Sequence, residues 1–160
     1  MAAERHVTAS ATAPVPQDEL WELVCDVDRY PEWVEDTLEV VRTDGPAAQG
    51  STYDERNRIA GPVKGSTRWT VVEHEPPRRT LHRGEGVPIA ASMSVEMALR
   101  PVGAAATEVT VTFRYVPAFG PVGGLIAAAG LHRSLERGFR RSVEALVAIA
   151  EREHQAGARI

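Results

Sequence analysis

The chain has 160 residues, which suits one domain and is too short for two of ordinary size, so we expect a single domain spanning residues 1–160. A net charge of −4 with 25% charged residues gives no basic surface of the kind that nucleic acid requires. No apolar run reaches the roughly 18 residues of a membrane span. The first ten residues lack the basic and apolar regions of a secretory signal. We therefore expect a cytoplasmic monomer or homodimer that binds neither nucleic acid nor the membrane interior.

Metal and disulfide chemistry are also not indicated. Cys25 is the only cysteine, which excludes an internal disulfide and a cysteine-based zinc site. The five histidines do not stand at metal-ligand spacing. His132 and Glu136 lie four residues apart in a predicted helix, a spacing typical of surface pairs. We expect no metal and no cofactor.

The first part of the chain predicts a strand followed by two short helices. Residues 6–12 read as the strand, and two prolines end it. Asp18 and Glu19 then open a helix with apolar residues on one side. The segment 26–34, DVDRYPEWV, ends that helix and has a proline where a second short helix can begin.

The middle of the chain predicts six more strands. Turn signals such as Gly45-Pro46 and Gly61-Pro62 separate them at intervals of roughly ten residues. The predicted strands are 36–43, 51–59, 64–74, 79–85, 90–100 and 105–116. Such short connections favour antiparallel hairpins, so the pattern predicts one curved sheet of about seven strands.

The last part of the chain predicts one long helix from about Gly123 to His154. Its apolar residues advance by three or four: Leu131, Leu135, Phe139, Val143, Leu146 and Ala150. About 30 helical residues span roughly 45 Å, so this stripe needs a broad partner such as the concave face of a curved sheet. That arrangement favours a cavity between sheet and helix. Residues 155–160 are expected to form a frayed tail, and the glycine-rich segment 118–130 either an irregular flap over the cavity or the loosely wound helix start.

This order of elements, together with three local stretches, resembles a known superfamily. The stretches are DVDRYPEWV at 26–34, EHEPPRRTLHR at 73–83 and ATEVTVTFRY at 106–115. They resemble the START-like (SRPBCC) superfamily, and within it small bacterial proteins of the polyketide cyclase/dehydrase type. The resemblance implies an α+β helix-grip fold, with a curved antiparallel sheet wrapped around one long C-terminal helix. It also implies a hydrophobic small-molecule ligand held between the two.

The resemblance and the strand alternation together give a set of candidate ligand-binding residues. The resemblance implies Trp33 near the mouth of the cavity and Trp69, Met93, Met97, Phe113 and Leu131 in its walls. Alternation along the strands and the spacing of the helical stripe add Tyr53, Val71, Tyr115 and Leu135.

Four polar residues are candidates for the chemistry. Tyr53 and Ile59 share strand parity with Glu55 and Asn57, and Val71 shares it with Glu73. That alternation also sends His74 away from the apolar face. Counted from Leu81, the next strand turns Arg83 inward and His82 outward. Three roles stay open for these charged residues, namely a solvated rim, a structural ion pair, and catalysis.

The catalytic role assigns specific tasks to three residues. Glu73 would move the proton, while Asn57 and Arg83 would stabilise a carbonyl or enolate oxygen. The chain then acts as a polyketide cyclase, aromatase or dehydrase. A sequence with only three residues each of Phe, Trp and Tyr argues against the densely aromatic pocket of ring-forming cyclases. Two non-catalytic functions also stay open, a lipid or quinone-type carrier and a protein-interaction module.

Overall fold

The computed structural model describes residues 3–88, 90–118 and 124–159. The strands are β1 (Arg5–Ala13), β2 (Thr37–Thr43), β3 (Thr52–Ala60), β4 (Val63–Glu75), β5 (Arg79–Glu85), β6 (Ala90–Gly103) and β7 (Ala106–Pro117). The helices are α1 (Gln17–Cys25), α2 (Tyr30–Trp33) and α3 (Gly124–Ala158), with a 3₁₀ turn at Val27–Arg29 between α1 and α2. This architecture confirms the predicted α+β helix-grip fold.

The seven strands form one antiparallel sheet in the order β1-β7-β6-β5-β4-β3-β2. Sequential strands from β2 to β7 pair as hairpins, and β1 joins the far edge by pairing with β7. In β7, buried and half-buried residues alternate along the whole strand, so that Val109, Val111 and Phe113 all face the concave side. This period of two is the physical signature of a strand with one buried face.

Helix α3 is anchored to the sheet mainly through its C-terminal half. Val143, Leu146 and Ile149 are buried there, whereas Leu131 and Leu135 nearer the N-terminus are only half-buried. The helix therefore packs at one end and spans the concave face at the other. The helix continues to Ala158, four residues beyond the end near His154 that the sequence predicts.

Helix α1 closes one end of the concave face. Asp18 and Glu19 lie in its first turn, where acidic side chains interact favourably with the helix dipole. Leu20, Leu23 and Val24 are buried. The opposite end of the sheet holds the β3–β4 and β5–β6 turns and the start of α3. Of the predicted flap or loose helix start at 118–130, residues 119–123 lie outside the described residues, and the chain is helical from Gly124.

The long helix does not resemble a membrane span. Among residues 3–88, 90–118 and 124–159, no helix is both long and apolar enough to cross a bilayer.

Candidate functional site

A cavity of about 160 Å³ lies between the concave face of the sheet and the N-terminal half of α3. Met93 and Met97 of β6 and Phe113 of β7 form its floor, and Leu131 and Leu135 of α3 lie on its other side. Phe113 stacks on Phe139 of α3 with ring centroids 5.1 Å apart. The helix thus touches the sheet at its midpoint and leaves space beyond that contact.

The cavity reaches the end of the molecule opposite α1. Its lining includes Arg58 and Ile59 at the end of β3 and Val87 and Ala90 between β5 and β6. Arg58 is exposed while the other three are half-buried. The cavity is therefore bordered at this end by an exposed side chain and not by the fully buried core.

The most unusual residue in the cavity wall is Glu55 of β3. It is 4% exposed, although carboxylates are rarely buried without partners. Its Oε2 atom accepts hydrogen bonds from Trp69 Nε1 and Asn57 Nδ2, both at 3.0 Å. Desolvation raises the pKa of Glu55, and hydrogen bonds from Asn57, Trp69 and Thr37 offset only part of that rise.

Two further polar atoms in the cavity lining are buried and unpaired. Within the part of the chain that the structure describes, Asn57 Oδ1 and Trp33 Nε1 have no hydrogen-bond partner. Both residues line the cavity. A buried polar group without a partner costs about 1–3 kcal/mol. This wall therefore retains one acceptor and one donor that neighbouring side chains do not use.

Gly84 of β5 gives the indole of Trp69 the space it needs. A Cβ atom at this position would lie 2.7 Å from Trp69 Cζ3 and 2.8 Å from Met93 Cε. The methionine end can move, but the indole is held by its hydrogen bond to Glu55. Gly84 is the last residue but one of β5, a central strand in which glycine is otherwise unfavourable, so its presence is explained by this close approach.

Replacing Gly84 by Ala is expected to displace Trp69 and to lower the free energy of unfolding by about 1–3 kcal/mol, the usual cost of overpacking. Urea unfolding measures the loss, and the indole N–H signal of Trp69 reports the weakened bond to Glu55. Gly130→Ala is the matched control, because no heavy atom lies within 4 Å of its added Cβ. Wild-type stability and an unchanged indole signal in Gly84→Ala would contradict this explanation.

The predicted inward positions of Glu73 and Arg83 are wrong. The pairing of β4 with β5 shifts between Val71 and Glu73, so the extra residue Val72 forms a bulge. The bulge reverses the alternation, and Glu73 lies exposed on the outer face, where it pairs with Arg79. Arg83 is also exposed on that face. Neither residue lines the cavity.

The predicted outward position of His82 is wrong as well. The inner positions of β5 are Thr80, His82 and Gly84, whereas Leu81 is half-buried on the other face. His82 is completely buried and bridges Tyr53 Oη at 2.7 Å and Thr80 Oγ1 at 2.9 Å. Burial lowers the pKa of His82 to about 3, which keeps the ring neutral.

His74 also faces inward, because it follows the bulge in β4. It is half-buried, packs against Trp21 with ring centroids 5.2 Å apart, and lies 3.2 Å from Thr80 Oγ1. It contributes to the core at the closed end of the sheet and does not line the cavity.

The candidate ligand-binding residues divide into one core residue and a set around the cavity. Val71 is fully buried in the core and does not line the cavity. The others line it: Trp33, Tyr53, Trp69, Met93, Met97, Phe113, Tyr115, Leu131 and Leu135. Asn57 and Glu55 join them.

Sequence reasoning missed several polar residues in the lining. Thr37, the first residue of β2, lies beside Glu55, and Asp36, which precedes it, lies beside Arg58. Neither residue belongs to a clearly alternating pattern in the sequence. Burial, with the charge of Glu35, raises the pKa of Asp36. Only the position of this segment directly after α2 could have suggested a role. Among the described residues, no three His, Cys, Asp or Glu side chains come together to hold a metal ion.

Residues 4–151 match the model of a protein family described as polyketide cyclase / dehydrase and lipid transport. No curated protein sequence matches the chain.

Solved structures show the same fold at low sequence identity. The ZhuI aromatase/cyclase from Streptomyces sp. R1128 is similar with a TM-score of 0.76 and 24% identity, covering 97% of this chain and 98% of that chain. TTHA0849 from Thermus thermophilus gives a TM-score of 0.77 at 14% identity, over 91% of this chain and 97% of its own. The di-domain aromatase/cyclase StfQ from the steffimycin biosynthetic pathway gives 0.76 at 14% identity, over 96% of this chain and 52% of its own.

Proposed function

Because the chain belongs to the polyketide cyclase / dehydrase and lipid transport family, we propose that it encloses part of a hydrophobic, polyketide-type small molecule and promotes proton transfer at an enolisable carbonyl. Glu55 is the proposed base. The observation that carries this proposal is a desolvated carboxyl group in the wall of an otherwise largely apolar cavity.

The size and lining of the cavity support binding of a ring-sized apolar group. An apolar cavity of about 150 Å³ is known to hold benzene, and this one measures about 160 Å³. Its thioether and aromatic surfaces, from Met93, Met97 and Phe113, adapt well to flexible apolar ligands. A longer ligand would place one ring inside and extend through the opening near Arg58.

The chemistry follows from the environment of Glu55. Cyclisation and dehydration of a polyketide-type chain both begin with removal of a proton next to a carbonyl group. A carboxylate whose pKa is raised by burial is a stronger base than one in water. Trp69 and Asn57 hold its Oε2 atom in place, so the carboxylate does not reorient during the transfer.

Two unpaired polar atoms in the cavity lining support a ligand that carries oxygen. A ligand hydroxyl group can accept a hydrogen bond from an indole N–H and donate one to an amide oxygen. Trp33 Nε1 and Asn57 Oδ1 are a buried donor and a buried acceptor in the cavity lining that lack partners within the described residues. The aromatase/cyclase descriptions of ZhuI and StfQ agree with an oxygenated ligand of polyketide type.

A non-catalytic carrier is the second candidate. The low polarity of the cavity lining favours it, because transport needs only shape and apolar surface. In that case the ligand would bind and leave unchanged. A protein-interaction module, the third candidate, predicts a small or filled cavity and is not favoured by an open cavity of about 160 Å³.

Cyclohexanone is a suitable probe for both the enzyme and the carrier, because it is a single apolar ring with exchangeable protons next to its carbonyl. Binding is measured by saturation-transfer NMR. Exchange of the protons next to the carbonyl group is measured in D₂O by the loss of their ¹H signal. Binding with catalysed exchange is the result expected for the proposed function. Binding without exchange would favour the carrier, and no binding would contradict both.

Leu135→Trp is expected to block the cavity. Leu135 projects from α3 into the lining, so a larger side chain occupies the space of the ligand. We expect at least a tenfold loss of cyclohexanone affinity, about 1.4 kcal/mol, measured by the same NMR titration. Val102→Trp is the control, because Val102 is 43% exposed and lies outside the lining. Equal affinities in the two variants would show that the probe binds elsewhere.

A further inference from the structure

A second chain of polar groups meets the cavity where β7 faces α3. Tyr115 lines the cavity, and its Oη atom lies 3.0 Å from Nδ1 of His132. The other ring nitrogen of His132, Nε2, lies 3.5 Å from Glu136 Oε1. The three residues thus follow one another from the buried wall of the cavity to the surface of α3.

Solvent exposure increases along this chain. Tyr115 is 1% exposed, whereas the side chains of His132 and Glu136 are 29% and 49% exposed. A group that exchanges protons with water is therefore linked directly to a hydroxyl group in the cavity wall. A nucleophile or acid, a histidine beside it and a carboxylate behind the histidine form the arrangement that enzymes use to move protons.

The surroundings of Tyr115 raise the pKa of its hydroxyl group, which stays protonated at neutral pH. Burial raises the pKa of Tyr115, and the charge of Glu136 acts in the same direction. Arg5, which stands opposite Tyr115 in β1, lowers it but does not reverse the rise. Tyr115 is accordingly a proton donor rather than a phenolate.

We infer that Tyr115, His132 and Glu136 form a proton relay that delivers a proton from solvent to a carbonyl oxygen of a ligand in the cavity. This inference rests on the proposed function. Tyr115 is the catalytic residue of the relay, since it faces the ligand. His132 and Glu136 are positioning residues that act through it.

The proton balance of the step is simple. In the relay the Nδ1–H of His132 donates to Tyr115 Oη, and the phenolic hydrogen is free to point into the cavity. The phenolic proton passes to the ligand oxygen as Glu55 removes a proton from the neighbouring carbon, giving an enol. The Nδ1 proton passes to Tyr115, His132 regains a proton from water, and Glu55 releases to water the proton that it removed. Glu136 stabilises the imidazolium form.

The relay complements Glu55 in position. Glu55 lies on β3, and β4, β5 and β6 separate that strand from β7, which carries Tyr115. Both residues line the cavity, and the inferred step places the ligand carbonyl group between this base and this acid. Neither group then has to stabilise a full negative charge on the ligand.

Cyclohexanone exchange in D₂O tests the relay. Tyr115→Phe is expected to lower the maximal exchange rate by about 10²-fold or more, the usual contribution of a general acid, with little change in affinity. His132→Ala is expected to lower the rate at least tenfold, and added imidazole should restore part of it. A purely structural role of His132 would not give this rescue.

The same helix provides a matched control. His154 also pairs with a carboxylate, with its Nδ1 atom 2.8 Å from Glu19 Oε2, but it does not line the cavity or contact Tyr115. His154→Ala is expected to exchange at the wild-type rate and to show no response to imidazole.

The outcomes separate the relay from the proposed function. Catalysed exchange that is lost in Tyr115→Phe and rescued by imidazole in His132→Ala supports the relay. Catalysed exchange that persists in Tyr115→Phe, while Glu55→Gln abolishes it, overturns the relay alone. Absence of exchange in the wild-type protein overturns the catalytic proposal and the relay together. If Tyr115→Phe does not fold, imidazole rescue of His132→Ala decides the question.

Discussion

Glu55→Gln is expected to lower the maximal rate of cyclohexanone proton exchange by about 10²–10⁴-fold, the range typical of a lost general base. Glutamine has nearly the same shape, and its amide oxygen still accepts hydrogen bonds from Trp69 and Asn57. The affinity for the probe should therefore stay close to that of the wild-type protein. A rate loss without an affinity loss identifies an interaction used in the transition state.

Glu73→Gln is the matched control for this prediction. Glu73 is a carboxylate on the neighbouring strand, but it lies on the outer face beside Arg79 and outside the cavity lining. Its replacement should leave the exchange rate unchanged. If Glu55→Gln exchanges at the wild-type rate, or if Glu73→Gln is the variant that loses activity, the assignment of Glu55 as the base is incorrect.

The second large effect concerns acid stability and His82. Burial lowers the pKa of His82 to about 3 in the folded protein, against an ordinary value of 6.5. Below pH 6.5 the unfolded chain therefore binds a proton that the folded protein does not. Stability is lost as the pH falls from about 6.5 toward 3, at about 1.4 kcal/mol per pH unit from this one residue.

Urea unfolding at several pH values measures this contribution. His82→Gln retains groups that can accept from Tyr53 and donate to Thr80, but it does not titrate. The variant is expected to be less stable than the wild-type protein at pH 7. Between pH 6 and pH 5, its free energy of unfolding should fall by about 1.4 kcal/mol less than that of the wild-type protein. Parallel pH profiles for the two proteins would contradict a buried, neutral His82.

The sequence was sufficient to predict the fold because its strongest patterns are regular. The alternation in β7 extends over the whole strand, and the stripe of α3 includes Val143 and Leu146, which are both buried. Glycine and proline pairs stand at the turns. Each of these signals is local, and each agrees with the antiparallel hairpins that the structure contains.

The orientation of β4 and β5 could not be predicted for two physical reasons. The bulge at Val72 reverses the alternation before Glu73, and a single bulged residue leaves no distinct sequence signal. In β5 the inner positions carry Thr80, His82 and Gly84. The one apolar side chain, Leu81, lies on the other face, so counting from it assigns the two faces of the strand the wrong way round. Buried polar residues and a glycine imposed by packing make hydrophobic alternation misleading there.

The site depends on contacts between residues far apart in the chain. Strand parity predicted that Glu55 and Asn57 share a face, but the hydrogen bond from Trp69 comes from the neighbouring strand. The contact of Tyr115 with His132 joins a strand to a helix across a segment without a clear pattern. In the sequence, His132 and Glu136 indicate only an ordinary helical pair.

The central claim, that α3 spans the sheet and leaves room for an apolar guest, is tested most directly by methyl NMR of the protein with bound cyclohexanone. Only three methionines are present, and Met93 and Met97 line the cavity. Labelled methionine methyl groups should show nuclear Overhauser contacts between the probe and both residues. Saturating probe without contacts to either methyl group would contradict the claim.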